Sequence, residues 1–592
     1  MNKFLSLVTL LLLIGCGGGG GGSSSSGTTS NTENPISTPE PETVVPSTPE
    51  IVVPSTPETV VLSEQEVSTF LARSTFGVKQ VEIENLIEIG DYEKWIDEQF
   101  TKTPNYLINW AETKAIGVGT VGDLKDNPED WRNYSDALAF LQRDAWWDIV
   151  VSGDDQLRQR VAFALSEIMV ISKYGSLINY PDSRMSYYDV LVKNAFSNFE
   201  TLLQEVTYHP AMGKYLSYLG NSKEDTVKGT HPDENYAREV MQLFTIGLYE
   251  LNTDGSKKTD SAGNSIPTYT QDDITAMAKV FTGLTDQNGY FFASEGSSSH
   301  TSRTETMIAN ESYHDTSEKS ILGYTIQAGG DTKTDINLAL NHLFNHANTG
   351  PFIAKRLIQR LVTSNPTPAY IQHVALVFND NGEGVRGDMK AVIKAILLYD
   401  EDSSSDTFGK LKEPLLFVSS LFRTFNAKNS ENILYQGDDA VYKYSSFNFH
   451  GTGYTNQEGA LEALTVFNYF TPDDAPYSLK KDELVAPEFE LFGIGNVHQL
   501  LMGLINKDGF IYETYKIIAE LQLETEKSLV ENKKYDELLE RLNILLLGGN
   551  MSSITKSAIK TYMTEHSELS SDVLTRYVIS LVMTSPDFAI QR

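Results

Sequence analysis

The densest run of chemistry-bearing side chains is His231-Pro232-Asp233-Glu234-Asn235-Tyr236-Ala237-Arg238-Glu239-Val240-Met241-Gln242-Leu243-Phe244-Thr245-Ile246-Gly247. On a helix, Asn235, Glu239 and Gln242 stand at i, i+4 and i+7 and share one face with Arg238 beside them. Val240, Leu243, Phe244 and Gly247 fall on the other. An Arg next to carboxylates can fork onto the oxygens of a carboxylate, sulfate or phosphate. The same spacing serves equally as a solvated stripe with an i,i+4 ion pair. Periodicity leaves both readings open.

Other polar signals have simpler accounts. His342 and His346 are spaced to chelate a metal from one helix face, but no third ligand stands near them in sequence, so His346 reads as a cap at a helix end. Thr270-Gln271-Asp272-Asp273 is a capping box. Asn252-Thr253-Asp254-Gly255 and Asp380-Asn381-Gly382-Glu383-Gly384 lack the closing Glu of a calcium loop and read as turns. Trp146-Trp147 lies in an apolar stretch and reads as core. The folded body carries no Gly-x-Ser-x-Gly, His-Glu-x-x-His, Walker-type or dinucleotide-type glycine motif, which argues against serine esterases, zincins, P-loop enzymes and nucleotide oxidoreductases.

The elements that must position these groups are helical. A capping box at Ser63-Glu64-Gln65-Glu66 opens the first, and 3.6-residue periodicity predicts helices over Leu157–Ser172, Phe199–Thr207, Asn235–Leu251, Asp272–Thr282, Ile336–Phe344, Phe352–Thr363, Ile371–Phe378, Met389–Leu398 and Tyr535–Leu547. Irregular stretches are expected at 112–134, 252–270, 286–330 and 430–490, and period-two alternation is scarce. The expectation is a mainly α fold: one large multi-helical body over residues 63–592, in one or two lobes, with long loops and little β.

The N-terminus reads differently. Lys3 precedes an apolar run, Phe4 to Ile14, that is too short to span a bilayer and ends at Gly15-Cys16. This resembles a bacterial lipobox, making residues 1–16 a lipoprotein signal peptide and Cys16 the lipidated residue. Cys16 is the single cysteine, so no intramolecular disulfide can form and no thiol is left for catalysis. Residues 17–62 pass from Gly/Ser to two copies of Val-Val-Pro-Ser-Thr-Pro-Glu, a flexible and then semi-rigid tether reaching roughly 140 Å when fully extended. Gly17, rather than an aspartate, follows the cysteine, which points to the outer membrane. The formal charge is -32, from 47 basic and 79 acidic residues. That argues against nucleic acid, whose binding rests on phosphate neutralisation.

Several stretches together resemble a bacterial family, the domain-of-unknown-function 1800 family. They are His209-Pro210-Ala211-Met212 with Asn221; Glu234 through Gly247; Tyr269-Thr270-Gln271-Asp272-Asp273-Ile274 with Phe281-Thr282-Gly283; and His314-Asp315 with Lys319 and Leu322-Gly323. Further on come Asn345 to Thr349, Ile353 to Leu357, Leu411-Lys412-Glu413-Pro414 and Ser585-Pro586-Asp587-Phe588. The match runs from about residue 66 to 592. It implies an exported, mostly helical protein, often encoded beside a protein of the alkaline-phosphatase and sulfatase superfamily, and no agreed activity. One departure stands out: many members carry a Trp/His-rich stretch where this chain reads Val161-Ala162-Phe163-Ala164-Leu165-Ser166-Glu167-Ile168.

The resemblance groups the polar residues of these motifs into one candidate pocket: His209, Asn221, Glu234, Asn235, Arg238, Glu239, Asp273, His314, Asp315 and Lys319. For catalysis the roles would be Glu239 or Asp315 as base, His314 or His209 as proton carrier and Arg238 as anion clamp. A divalent cation would draw on Glu234, Glu239, His314 and Asp315. The leading expectation is a lipid-anchored envelope protein that binds or assists in handling extracellular polymers or sulfated and phosphorylated molecules. A carboxylate- and His-based hydrolase or lyase, and a structural component of the surface matrix, are the alternatives.

Overall fold

The computed structural model describes residues 61–115, 131–178, 180–287, 303–428, 433–436, 441–444, 458–491, 503 and 519–592. Cys16, the expected signal peptide and nearly all of the expected tether lie outside the described residues. Helices dominate, at 54% of the described residues, well above the roughly one-third of an ordinary globular domain. The strands are short antiparallel pairs. No helix among the described residues is long and apolar enough to cross a membrane.

The first helix, Glu64–Ser74, begins with the capping box: the Ser63 hydroxyl accepts from Glu66 N–H, and the Glu66 carboxylate accepts from Ser63 N–H at 3.0 Å. Its buried face, Val67, Phe70 and Leu71, enters one continuous apolar core that also contains residues of the last helices, Val578 and Phe588 among them. Strand Lys410–Leu411 pairs with Ile590–Gln591 and stitches the C-terminal segment to the middle of the chain. Trp146 and Trp147 are core residues, and Trp146 Nε1 donates to Tyr188 at 3.0 Å.

Most helices lie where the periodicity placed them, among them Phe199–Tyr208, Gln271–Val280, Pro368–Asn379, Met389–Leu397 and Tyr535–Leu547. Two end early. The helix expected over Asn235–Leu251, which carries the hallmark polar run, stops at Gln242. There Thr245 Oγ1 donates to the Val240 carbonyl, and the N–H groups of Ile246 and Gly247 fold back onto Met241. Gly247, at φ +72°, completes the turn, and a Cβ there would lie 2.9 Å from the Phe352 ring. The helix expected over Leu157–Ser172 runs Gln156–Ser166; beyond it Ser172 is drawn into a bridge with Glu462 and donates to the Ala463 carbonyl.

Parts of the irregular stretches expected at 112–134, 286–330 and 430–490 lie outside the described residues, whereas the loop expected at 252–270 is tied down. Isolated bridges Tyr249–Pro267, Leu251–Lys257 and Thr259–Ser265 order the 252–270 stretch. Asp254 and Asp380 accept from N–H groups two residues on, so both calcium-like loops are Asx turns. Strands Lys319–Ile321 and Tyr324–Ile326 form a hairpin across Leu322-Gly323, both at positive φ.

Candidate functional site

Around the hallmark helix Asn235–Gln242, Glu234 acts as a tie. Its carboxylate accepts from Arg238 at 3.2 Å, from Gln271 Nε2 at 2.9 and 3.0 Å and from Thr275 Oγ1 at 3.0 Å, joining this helix to Gln271–Val280. Asn235 Nδ2 donates to Ser217 Oγ at 3.3 Å. Arg238 makes that one ion pair and keeps 39% of its side chain exposed. Glu239 turns inward instead, 7% exposed, and its Oε2 has no hydrogen-bond partner among the described residues. Burial raises its pKa, opposed by the neighbouring Arg238. Tyr215 and Tyr269 stand close enough to feel the Glu239 charge, and Tyr269 donates to Gln242 at 3.0 Å. The result is a half-exposed guanidinium beside a recessed carboxyl, rimmed by tyrosines.

A second group of hallmark residues packs behind this rim and is consumed internally. Asn221 Oδ1 accepts from Asp233 N–H at 2.9 Å, and its carbonyl accepts from Gly283 N–H at 2.9 Å. Gly283 is required here: it sits at φ +91°, and a Cβ would lie 2.7 Å from Thr332 Oγ1 and 3.1 Å from the His314 Cβ. The fully buried His314 bridges the Thr282 carbonyl, 2.9 Å from Nδ1, and Asp335 Oδ2, 3.2 Å from Nε2. Lys319 Nζ donates to the same Asp335 oxygen at 2.7 Å and to the carbonyls of Asp315 and Ser317 at 2.5 and 3.0 Å. All three ammonium donors are thereby engaged. Asp315 accepts from Ser317 N–H and Oγ; burial pushes its pKa up, but those hydrogen bonds win and hold it low. Asp273 closes its capping box and accepts from Leu322 N–H at 2.7 Å, fixing the hairpin turn.

His209 belongs elsewhere. It caps Pro210–Tyr215, its Nδ1 accepting from Ala211 N–H at 3.1 Å, with Nε2 3.1 Å from Ser186 Oγ. Burial lowers its pKa to about 3, so the ring is neutral. With Nδ1 accepting, the proton lies on Nε2 and is directed at Ser186. His346 likewise terminates Thr332–Asn345 and accepts from Asn348 N–H, as its position in the sequence suggests.

The most heavily charged buried site was not visible in the sequence. One oxygen from each of Glu167, Glu413 and Glu458 lies within 4.8 Å of the others, and all three residues are buried. Lys410 Nζ lies 2.7 Å from Glu413, 3.3 Å from Glu488 and 3.2 Å from the Arg360 carbonyl. Asn468 Nδ2 donates to Glu167 at 3.0 Å, with Arg360 at 3.8 Å, and Glu458 accepts from Leu415 N–H at 2.7 Å at the start of the Pro414–Thr424 helix. Arg160, 1% exposed, faces Glu413 and Glu167, and its Nε and Nη1 find no acceptor among the described residues. Oxygen donors of this kind suit a hard divalent ion. Here, however, an ammonium and two guanidinium groups already surround the carboxylates, which weighs against a further dication.

The environment splits the three glutamates. Burial, reinforced by Glu413, pushes Glu167 up to about 7 and Glu458 well above the usual carboxyl range. In Glu413 the effect of burial is overcome by Lys410 and Arg360, and its pKa falls. Carboxyls driven apart in this way can act as proton donor and acceptor. They also couple stability to pH. A carboxyl whose folded pKa is raised favours the fold while protonated, a contribution present in full below its ordinary 4.5 and lost as pH rises through about 7. Glu167→Gln is therefore expected to shrink the fall in urea midpoint between pH 5 and pH 8, relative to the parent.

A sequence profile of the family described as "protein of unknown function (DUF1800)" matches residues 69–590. The chain belongs to the DUF1800 family. No curated protein and no solved structure matches it. Within this DUF1800 chain the candidate residues split between a rim (the half-exposed Arg238 with the recessed Glu239 beside it) and ties within the fold (Asn221, Glu234, Asp273, His314, Lys319), with His209 apart from both. Glu413 comes from the family-like stretch Leu411-Lys412-Glu413-Pro414, and Glu167 lies in the stretch Val161 to Ile168. The one sequence signal for this compartment was a lone Glu inside the apolar run Val161 to Ile171.

Proposed function

We propose that the protein is a lipid-anchored component of the cell envelope, held at the outer membrane through Cys16, that binds anionic groups of an extracellular polymer at the Arg238 rim. It would serve as binding partner to a hydrolase of the alkaline-phosphatase and sulfatase superfamily encoded beside it. The observation carrying this reading is Arg238 itself: a half-exposed guanidinium at the surface with one ion pair among the described residues, while Lys319, the candidate pocket's lysine, spends every donor inside the fold. A planar fork with free donors is what sulfate, phosphate or carboxylate oxygens select. Titration of the full chain with dextran sulfate and with polyphosphate tests it. Arg238→Ala is expected to weaken binding at least tenfold, and Arg238→Lys less, because lysine keeps the charge and loses the fork. Unchanged affinity in Arg238→Ala would remove the reading.

A second reading, a carboxylate-based hydrolase or lyase, is supported by the Glu167–Glu413–Glu458 compartment, where adjacent carboxyls differ in ionisation. It would relocate the acid and base roles from Glu239, His314, Asp315 and His209 to these glutamates. Product release from a sulfate, phosphate or glycan substrate separates it from binding alone.

A further inference from the structure

A cleft of about 600 Å³ opens between the Glu64–Ser74 helix, the start of the Tyr92–Thr101 helix and the turn that follows Met389–Leu397. Its volume falls in the roughly 300–1,000 Å³ range of sites that enclose small ligands. It shares no residue with the Arg238 rim or with the glutamate compartment.

Two half-buried tyrosines line it, Tyr92 and Tyr399, and each is backed by a second ring. Phe70 lies 4.5 Å from Tyr92, and Tyr370 stacks on Tyr399 at 4.4 Å with the planes 6° apart. Backing of this kind fixes a phenol before any ligand arrives, so it presents rigid apolar area at little entropic cost. Between the tyrosines the walls are polar: Glu66, Asp400 and Asn550 supply acceptors, and Arg73 supplies donors. Arg73 is itself held in place, Nε donating to the Arg592 carbonyl at 3.4 Å and its guanidinium 5.2 Å from the Phe408 ring centre.

The lining selects a ligand class by elimination. A purely apolar ligand would strip water from the Glu66 and Asp400 carboxylates, the Asn550 amide and the Arg73 guanidinium, a cost that the internal hydrogen bonds of Glu66, Arg73 and Asn550 offset only in part. A polyanion would meet Glu66 and Asp400 in a chain of net charge -32. A small cation would meet Arg73. What remains is a neutral molecule with apolar C–H faces and many hydroxyls, matching tyrosine faces on one side and carboxylate acceptors on the other. We propose that this cleft is a carbohydrate subsite that takes a short segment of a neutral pyranose chain.

The test is calorimetric titration of the full chain, in a sugar-free detergent, with linear hexasaccharides of glucose, N-acetylglucosamine and mannose, and with dextran sulfate alongside. At least one neutral hexasaccharide is expected to bind, and Tyr399→Ala to weaken it at least tenfold. Tyr399 packs on Tyr370, so Asp400→Asn, at an exposed position, provides a variant whose fold is not in question and should weaken binding several-fold. The proposal is overturned if no neutral hexasaccharide binds at millimolar concentration, or if one binds and both variants leave its affinity unchanged. Dextran sulfate binding that is lost in Tyr399→Ala but kept in Arg238→Ala would place a polyanion in this cleft and overturn its assignment to a neutral chain.

Discussion

Lys319→Ala is expected to lower the unfolding free energy by about 3–5 kcal/mol, read from urea denaturation at neutral pH. Removing one partner of a buried ion pair leaves the other charged and desolvated. Lys319 is 1% exposed and Asp335 also 1%; the ammonium is the close cationic partner of Asp335 Oδ2, while Asp335 Oδ1 already lacks a hydrogen bond among the described residues. The same ammonium holds the carbonyls of Asp315 and Ser317, so its loss also frees the segment leading into the Lys319–Ile321 strand. Replacing the pair together, Lys319→Met with Asp335→Leu, should recover only part of the loss: it removes the unpaired charge, but it leaves His314 Nε2 and the carbonyls of Asp315 and Ser317 without these partners. A Lys319→Ala protein as stable as the parent would mean that this tie is dispensable.

Lys410→Met should cost a similar amount, about 3–5 kcal/mol, for the same reason, but with a pH signature of its own. Lys410 is fully enclosed between Glu413 and Glu488, and those carboxylates, Glu413 first, overcome burial to raise its pKa. Without it, Glu413 loses the partner that keeps it ionised. At pH 5 a glutamate can take up a proton and relieve the unpaired charge; at pH 8 proton uptake is itself unfavourable. The destabilisation should therefore be larger at pH 8 than at pH 5, measured as the difference in urea midpoint from the parent at each pH. Equal losses at both would show that the compartment is not electrostatically coupled.

Helix content was legible where burial is periodic, as in Phe199–Tyr208, whose buried Phe199, Leu202, Leu203 and Val206 recur every three to four residues, whereas Gln156–Ser166 is buried on every side. Helix ends were less legible. The hallmark helix stops five residues before Gly247 because Thr245 and the backbone of Ile246 and Gly247 turn back onto it, and Phe352 packs so closely on Gly247 that a Cβ has no room there. The capping residues were readable from local chemistry, as Ser63, Thr270 and His346 illustrate. Asp335 was not. It sits in an amphipathic helix with nothing local to mark it, and its importance comes from Lys319 and His314 arriving from another loop. The glutamate compartment is the extreme case: Glu167, Arg360, Glu413 and Glu458 meet only through tertiary packing, and no spacing rule links them.

The rim and the ties make opposite demands on a paired measurement. Arg238→Ala and Lys319→Ala would each be assayed for urea midpoint and for dextran sulfate affinity in the same buffer. An exposed i,i+4 pair contributes only a few tenths of a kcal/mol, so Arg238→Ala should unfold with the parent and bind at least tenfold more weakly. Lys319→Ala should unfold several kcal/mol earlier and, where still folded, bind as the parent does. The reverse pattern, with Arg238→Ala unfolding early yet binding normally, would contradict the assignment of Arg238 to recognition and return the hallmark helix to the scaffold.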